Sequence, residues 1–494
     1  MPTPALALII FAAWLPWTLP CLPTLVDWDT VGQLYQFATD APVDYGLRAV
    51  DVLIDAKFVD HDPILTTWLF GSVWWVGWKL GHQQVVFTLF SLVQSYVFAW
   101  ALARTAREAG ELGAPRWLCA CMVAFFCLFF PFARFSVTML KDTLFAIAMT
   151  LLAVEASACV RTRGAGLAGW GAIRLGLAMC ACMATRKTGL VIVAITALAL
   201  LAVIGRPRSK ALQAHPHESL EGAAPPRVAT HPRLAVTLAA LVPAVGLGLL
   251  LPLAYPALSV AHGGRQEALG PLFQMTATYL RDHPGDVTPA EREAIDAVLP
   301  YEGLTSRLNV SITDPVKNSF RWDATSDDVK VYLKVWLAMG LRHPGSYVAS
   351  WWGCVGGLFA PLSRIETPWT SLEKDQWQFE AGEGHADIQL ARPFVSRVIS
   401  LVGDCYWIVV SLSWGSLGTV GFYGGVLPLT CAAACLVRRG PRARRLALLA
   451  VPLACTLTLA LCPVSASRYA LPLMCLAPYL VAVATCSFRS NASL

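Results

Sequence analysis

Long apolar runs separated by short polar turns dominate the chain. They recur near residues 5–25, 83–104, 116–135, 141–160, 166–184, 188–205, 234–256, 415–437, 446–463 and 468–488. A run of roughly 18–20 such residues is what a membrane-crossing helix needs. Three further stretches, 64–80, 346–362 and 397–413, are short and hold residues suited to an interface. These are Trp74, Trp75, Trp78 and Lys79, then Trp351 and Trp352, then Asp404. They read as helices lying along a membrane surface, the alternative for 346–362 and 397–413 being that both cross it. The pattern predicts an all-α polytopic membrane protein.

Composition agrees. Of 494 residues, 56% are hydrophobic and 14% charged, against about 25% charged in a soluble domain. A soluble domain of this make-up would leave large apolar patches uncovered. The net charge of +6 does not imply nucleic acid, because the basic residues sit at the ends of apolar runs. Most cysteines lie inside those runs, as small apolar residues do. No CxxC pair occurs, which argues against a zinc or redox site. The first run, Pro4 to Val26, has no basic residue before it, so it reads as a retained helix rather than a signal peptide.

Charge then orients the chain. The loops 104–116, 161–163, 206–233 and 438–445 carry most of the Lys and Arg and are expected on the cytoplasmic side. They share one side, with both termini cytoplasmic, only if 64–80 does not cross. Three regions then face outward: loop 26–82, the turns 134–142, 184–188 and 464–468, and the segment 257–414. The organisation follows. Residues 1–256 form a transmembrane module with an acidic external loop, 26–63, and an interfacial helix, 64–80. Residues 257–414 form an external helical segment, and 415–494 a second transmembrane module. Within the external segment Thr288, Pro289 and Glu291 spell a capped helix start, and Asp327 to Leu341 is amphipathic. The linker 206–233, rich in Pro, His and Arg, reads as disordered.

The acidic loop is where chemistry is expected. It holds Asp27, Asp29, Asp40, Asp44, Asp51, Asp55, Asp60 and Asp62, with His61 among them. Asp27 and Asp29 flank Trp28 directly after the first span. There a carboxylate serves as a general base toward a hydroxyl, as a ligand for a divalent ion, or simply as a solvated helix end. Asp62 and Pro63 read as the cap and first turn of the next helix. His61 has no such structural account and suits a proton carrier or phosphate contact.

Lys141 and Asp142 open a span, where charge is costly unless it faces protein or water. Asp142 facing the same cavity as Asp27 would make a pair of carboxylates, and Lys141 would be a phosphate contact. Otherwise the two charges pair with each other or Lys141 snorkels. Arg186 and Lys187 open one span and Arg468 and Tyr469 the last. Both lie outside, against the positive-inside trend, as expected if they grip a phosphate; lipid headgroups are the plainer partner. Walker A, GxGxxG, HExxH and GxSxG motifs are absent.

The layout resembles the type-C glycosyltransferases, membrane enzymes that use polyprenyl-phosphate sugars, such as protein O-mannosyltransferases and aminoarabinose transferases. Asp27-Trp28-Asp29 stands where that family carries its first-loop acidic motif. His61-Asp62-Pro63-Ile64-Leu65 is similar to its His-Pro-Pro-Leu stretch, though the second Pro is missing. Lys141-Asp142 matches an acidic residue at a span start, and Arg468-Tyr469-Ala470-Leu471-Pro472 its Arg-Tyr-x-x-Pro. The resemblance implies an inverting transfer outside the cytoplasmic membrane, from a polyprenyl-phosphate-linked sugar to an envelope glycan, lipid or protein. In it Asp27 or Asp29 would deprotonate or orient the acceptor, and Arg468, with Lys187 or Arg186, would hold the departing phosphate. It allows a divalent cation such as Mg or Mn at Asp27 and Asp29. A glycan polymerase, ligase or lipid-linked-saccharide transporter is the alternative. A closer likeness runs through Gln274-Met275-Thr276-Ala277, Glu291-Arg292-Glu293-Ala294-Ile295-Asp296 and Ser311 to Asn318. It is to an uncharacterised bacterial membrane-protein family.

Overall fold

A computed structural model describes residues 1–38, 56–204, 229–361, 363–365, 378–379, 388–389, 394–438 and 442–486. Asp40, Asp44, Asp51 and Asp55, and most of the linker 206–233, lie outside the described residues. The fold is all-α apart from a few two-residue strands.

Each expected span falls on helix, but the helices differ in length. Five are long and apolar enough to cross a membrane: Thr3–Cys21, Gln83–Glu111, Lys141–Arg161, Pro232–Ala254 and Ser467–Thr485. The stretch 116–135 is not one straight helix. It divides into Arg116–Leu128 and Phe130–Ser136, bent by 60°. Pro131 explains the break, since its ring removes an amide hydrogen and clashes with the carbonyl four residues back. Trp170–Thr185, Gly189–Val203, Phe422–Val437 and Ala450–Leu459 are shorter apolar helices, less than the roughly 30 Å of a hydrocarbon core at about 1.5 Å per residue. Among the described residues, five helices, or six counting the bent pair, are long and apolar enough to cross by length and composition, where the apolar pattern predicts ten.

The stretches 64–80, 346–362 and 397–413 are the helices Ile64–Leu80, Pro344–Phe359 and Phe394–Ser413. The first ends on Gly81 in the left-handed region, φ 70°, which a glycine adopts without a Cβ penalty. The next helix starts two residues later at Gln83. Trp74 is buried and stacks on Trp78 with centroids 5.6 Å apart, while Lys79 sits 4.4 Å from the Trp78 ring.

The Lys141–Arg161 helix is the axis of the molecule. It is buried along most of its 21 residues and spans roughly 31 Å. Its ionic contacts gather at its two ends. At the C-terminal end Arg161 lies 3.1 Å from Glu108, and Glu155 lies 2.7 Å from Arg104 and 3.2 Å from Arg174. Arg444 donates to the Val160 carbonyl at 3.1 Å, and Ala229 N to the Ala165 carbonyl at 3.3 Å. Representatives of all four basic loops therefore meet at this end, and Thr3 joins them through Arg107 at 3.4 Å.

Short strand pairings organise the opposite end. Leu25–Val26 runs parallel to Thr138–Met139, and Phe58–Val59 runs parallel to Val260–Ala261. An antiparallel bridge joins Ile312 to Val464, beside a bond from Thr313 N to the Pro463 carbonyl at 3.2 Å. Each pairing delivers charged residues from two distant segments side by side.

The segment expected to be external has its own core around Phe273, Tyr279, Ile295, Val316 and Tyr332. Two capping boxes start its helices. Thr288 and Glu291 cap Pro289–Asp296 as expected, and Thr325 and Asp328 cap Ser326–Arg342.

Candidate functional site

The site is built by those pairings. Leaving the first pair together, Asp29 and Lys141 meet, with Lys141 Nζ 2.8 Å from the Asp29 carboxylate. Gln94 stiffens this turn by donating to the Ser136 and Thr138 carbonyls at 2.9 and 2.8 Å. Thr30 adds a bond to the Met139 carbonyl. Lys141 also binds Asp62, which the second pairing carries in. Arg468 enters on the turn Ser467–Ala470, before the last helix, which begins at Leu471 with Pro472 in its first turn. It pairs with Asp27, lies 3.1 Å from Asp29, and its Nε stands 3.5 Å from Asp142.

These groups enclose a cavity of about 440 Å³ lined by Asp27, Asp29, His61, Asp62, Lys141, Arg468 and Tyr469, among others. Of the residues singled out from the sequence, Asp27, Asp29, His61, Lys141, Arg468 and Tyr469 share it. Asp142 does not line it. Its carboxylate is 1% exposed behind Arg468, where it anchors that guanidinium and the Arg186 guanidinium, 3.3 Å away. Asp27 and Asp142 are thus joined by Arg468 rather than paired across open space. Arg186 lies over the Tyr469 ring at 4.2 Å and likewise stays off the cavity wall. Lys187 is half-exposed and reaches Asp60 at 3.7 Å.

Asp62 corrects the sequence reading. It does not cap a helix. The helix Ile64–Leu80 has Pro63 at its cap position and no side-chain cap. Asp62 is instead buried at 1% exposure with Lys141 as its partner, and its second oxygen has no hydrogen-bond donor among the described residues. Burial lifts its carboxyl above the usual range, against the pull of Lys141. Asp29 goes the other way. Burial would raise it, but the charges of Lys141 and Arg468 hold it well below the usual range.

A second wall was not foreseen. Glu267 begins the helix Gln266–Asp282, and the pairing of Phe58–Val59 with Val260–Ala261 sets it beside His61, 3.5 Å from Nδ1. Lys317 binds Glu267 at 2.9 Å and Asp314 at 3.0 Å. Burial would raise the Glu267 carboxyl, but His61 and Lys317 hold it down at about 2. Burial would lower the Lys317 ammonium, but Glu267 and Asp314 raise it. The only sequence signal was His61 itself, which lacked a structural reason.

A divalent ion at Asp27 and Asp29 does not fit this arrangement. Lys141 and Arg468 already neutralise the carboxylates where an ion would sit. Among the described residues no group of three or more His, Cys, Asp or Glu side chains is placed to hold one. The arrangement suits an anion that competes with carboxylates for two cations.

No curated protein and no solved structure matches the chain. A family model described as a family of unknown function matches residues 3–213 and 227–493, nearly the whole length. The expectation of an uncharacterised family is met, and the chain belongs to the family of unknown function DUF6020.

Proposed function

We propose that this cavity transfers a sugar from a polyprenyl-phosphate donor to a cell-envelope acceptor at the outer face of the cytoplasmic membrane. The observation that carries the reading is the convergence of Lys141 and Arg468 on one cavity with Asp27 and Asp29. Both cations stand at the starts of apolar helices, at the end of the molecule opposite the basic loops. A lipid phosphate anchored in the outer leaflet arrives at that height.

Lys141 and Arg468 stabilise the phosphate as its bond to the sugar breaks, since preorganised cations at developing charge lower the barrier. Four carboxylates, Asp27, Asp29, Asp62 and Asp142, surround three cations, Lys141, Arg186 and Arg468. The donor phosphate therefore takes over the guanidinium edge that Asp27 holds. Asp27 and Asp29 then orient the acceptor hydroxyl. The likeness to type-C glycosyltransferases supports the same assignment.

Purified protein in lipid nanodiscs, given a panel of polyprenyl-phosphate-linked monosaccharides, is expected to release polyprenyl phosphate in the presence of envelope acceptors. Arg468→Ala is expected to abolish release. Consumption of lipid-linked oligosaccharides alone would replace transfer with polymerisation or ligation.

A further inference from the structure

Asp29 on the first wall is a poor proton acceptor, because Lys141 and Arg468 hold its carboxyl well below the usual range. Asp27 is held by Arg468. The second wall offers a different group. The His61 side chain is 22% exposed and lines the cavity, and its Nδ1 faces the Glu267 carboxylate at 3.5 Å. Lys317 fixes the other Glu267 oxygen at 2.9 Å. An imidazole backed by an oriented carboxylate is the arrangement that general-base catalysis near neutral pH needs.

We infer that His61, oriented by Glu267, is the base that takes the acceptor's proton during transfer, with Lys317 as the residue that positions Glu267. The inference rests on the reading of the cavity as a transfer site. With Nδ1–H directed at Glu267, the proton goes to Nε2. The acceptor oxygen forms its bond to the anomeric carbon as the bond from that carbon to the phosphate oxygen breaks. The bonding pair leaves on the phosphate, between Lys141 and Arg468. The imidazolium charge is balanced by Glu267. Among the described residues, the charged groups that share the cavity with the ring include Asp29, Asp62 and Lys141 on the first wall and, on the second, Lys317 and Asp314.

Gly263 fixes the placement. A Cβ there would lie 2.9 Å from the His61 Cα and 3.0 Å from its backbone nitrogen, closer than packed atoms allow.

The test uses full-length protein in nanodiscs, the monosaccharide carriers above, and a fluorescent polyprenyl phosphate as binding probe. His61→Gln is expected to lower turnover by about a hundredfold or more while probe binding stays within about twofold. Glu267→Gln is expected to move the acid limb of the pH–rate profile to lower pH, since the neutral amide does not balance the imidazolium charge. Gly263→Ala is expected to lower kcat with KM for the carrier unchanged. An active wild type matched in rate by His61→Gln overturns the base. Should that variant fail to fold, an unshifted profile for Glu267→Gln overturns it instead. A wild type inert toward every carrier overturns the transfer reading and this inference together.

Discussion

Arg468 reaches across 441 positions of sequence to pair with Asp27. It also serves Asp29 and Asp142, at 3.1 and 3.5 Å. One guanidinium thus ties the loop after the first helix, the start of the Lys141–Arg161 helix and the start of the last helix into one site. Arg suits this because its planar fork offers five donors. Removing one member of a buried ionic cluster leaves its partners uncompensated, at a cost of about 3–5 kcal/mol.

On the proposed reading Asp27 competes with the donor phosphate for Arg468, so Asp27→Asn is expected to bind polyprenyl phosphate several-fold more tightly and to transfer sugar more slowly. Equilibrium binding and single-turnover transfer on the same preparation separate the two effects. Weaker phosphate binding in this variant would mean that Asp27 supports the phosphate and does not compete with it.

Lys141 links Asp29 and Asp62. Lys141→Met is expected to destabilise strongly, and Asp62→Asn in that background to recover part of the loss. A double-mutant cycle on thermal unfolding in detergent is expected to give a coupling of about 1–3 kcal/mol. A coupling near zero would show that Asp62 and Lys141 do not interact in the folded protein.

The second wall depends on pH through the pair Glu267 and Lys317. The folded Glu267 carboxyl lies near 2, below its ordinary 4.5. Its contribution is therefore complete above about pH 4.5 and fades as pH falls toward 2. Lys317 is raised above its ordinary 10.5, so its contribution is complete below about 10.5 and fades above it. Hydrogen exchange in the helix Gln266–Asp282 is expected to be slow between these limits and faster on acidification. Glu267→Gln is expected to flatten the acid response. Equal acid responses in the two proteins would refute the role of this pair.

The helices Pro289–Asp296 and Ser326–Arg342 rely on their two capping boxes. Thr288→Ala and Thr325→Ala are each expected to cost about 1 kcal/mol, read from Trp fluorescence during denaturation. Glu291→Ala is expected to cost more, because Glu291 also binds Arg342 at 2.6 Å.

Apolar runs and caps were legible in the sequence because they depend on neighbours a few positions apart. The positions of Asp27, Lys141 and Arg468 were legible as well, as charges where apolar helices begin or end. The bend at Phe129 follows from Pro131, although the unbroken apolar run around it masked the break. Asp62 was misread because a carboxylate before a proline suits a helix cap equally well, and only its burial against Lys141 distinguishes the two. Glu267 and Lys317 left no local mark. Their meeting with His61 depends on a two-residue strand pairing across some 200 positions (Phe58 with Val260), which no periodicity encodes.

The most direct measurement is the affinity of full-length protein for a polyprenyl phosphate probe, compared between the wild type and Arg468→Ala with Lys141 intact. The account predicts saturable binding by the wild type and at least a tenfold loss in the variant, about 1.4 kcal/mol. Equal affinity in two well-folded proteins would contradict it, because the cavity would then hold no lipid phosphate between these cations.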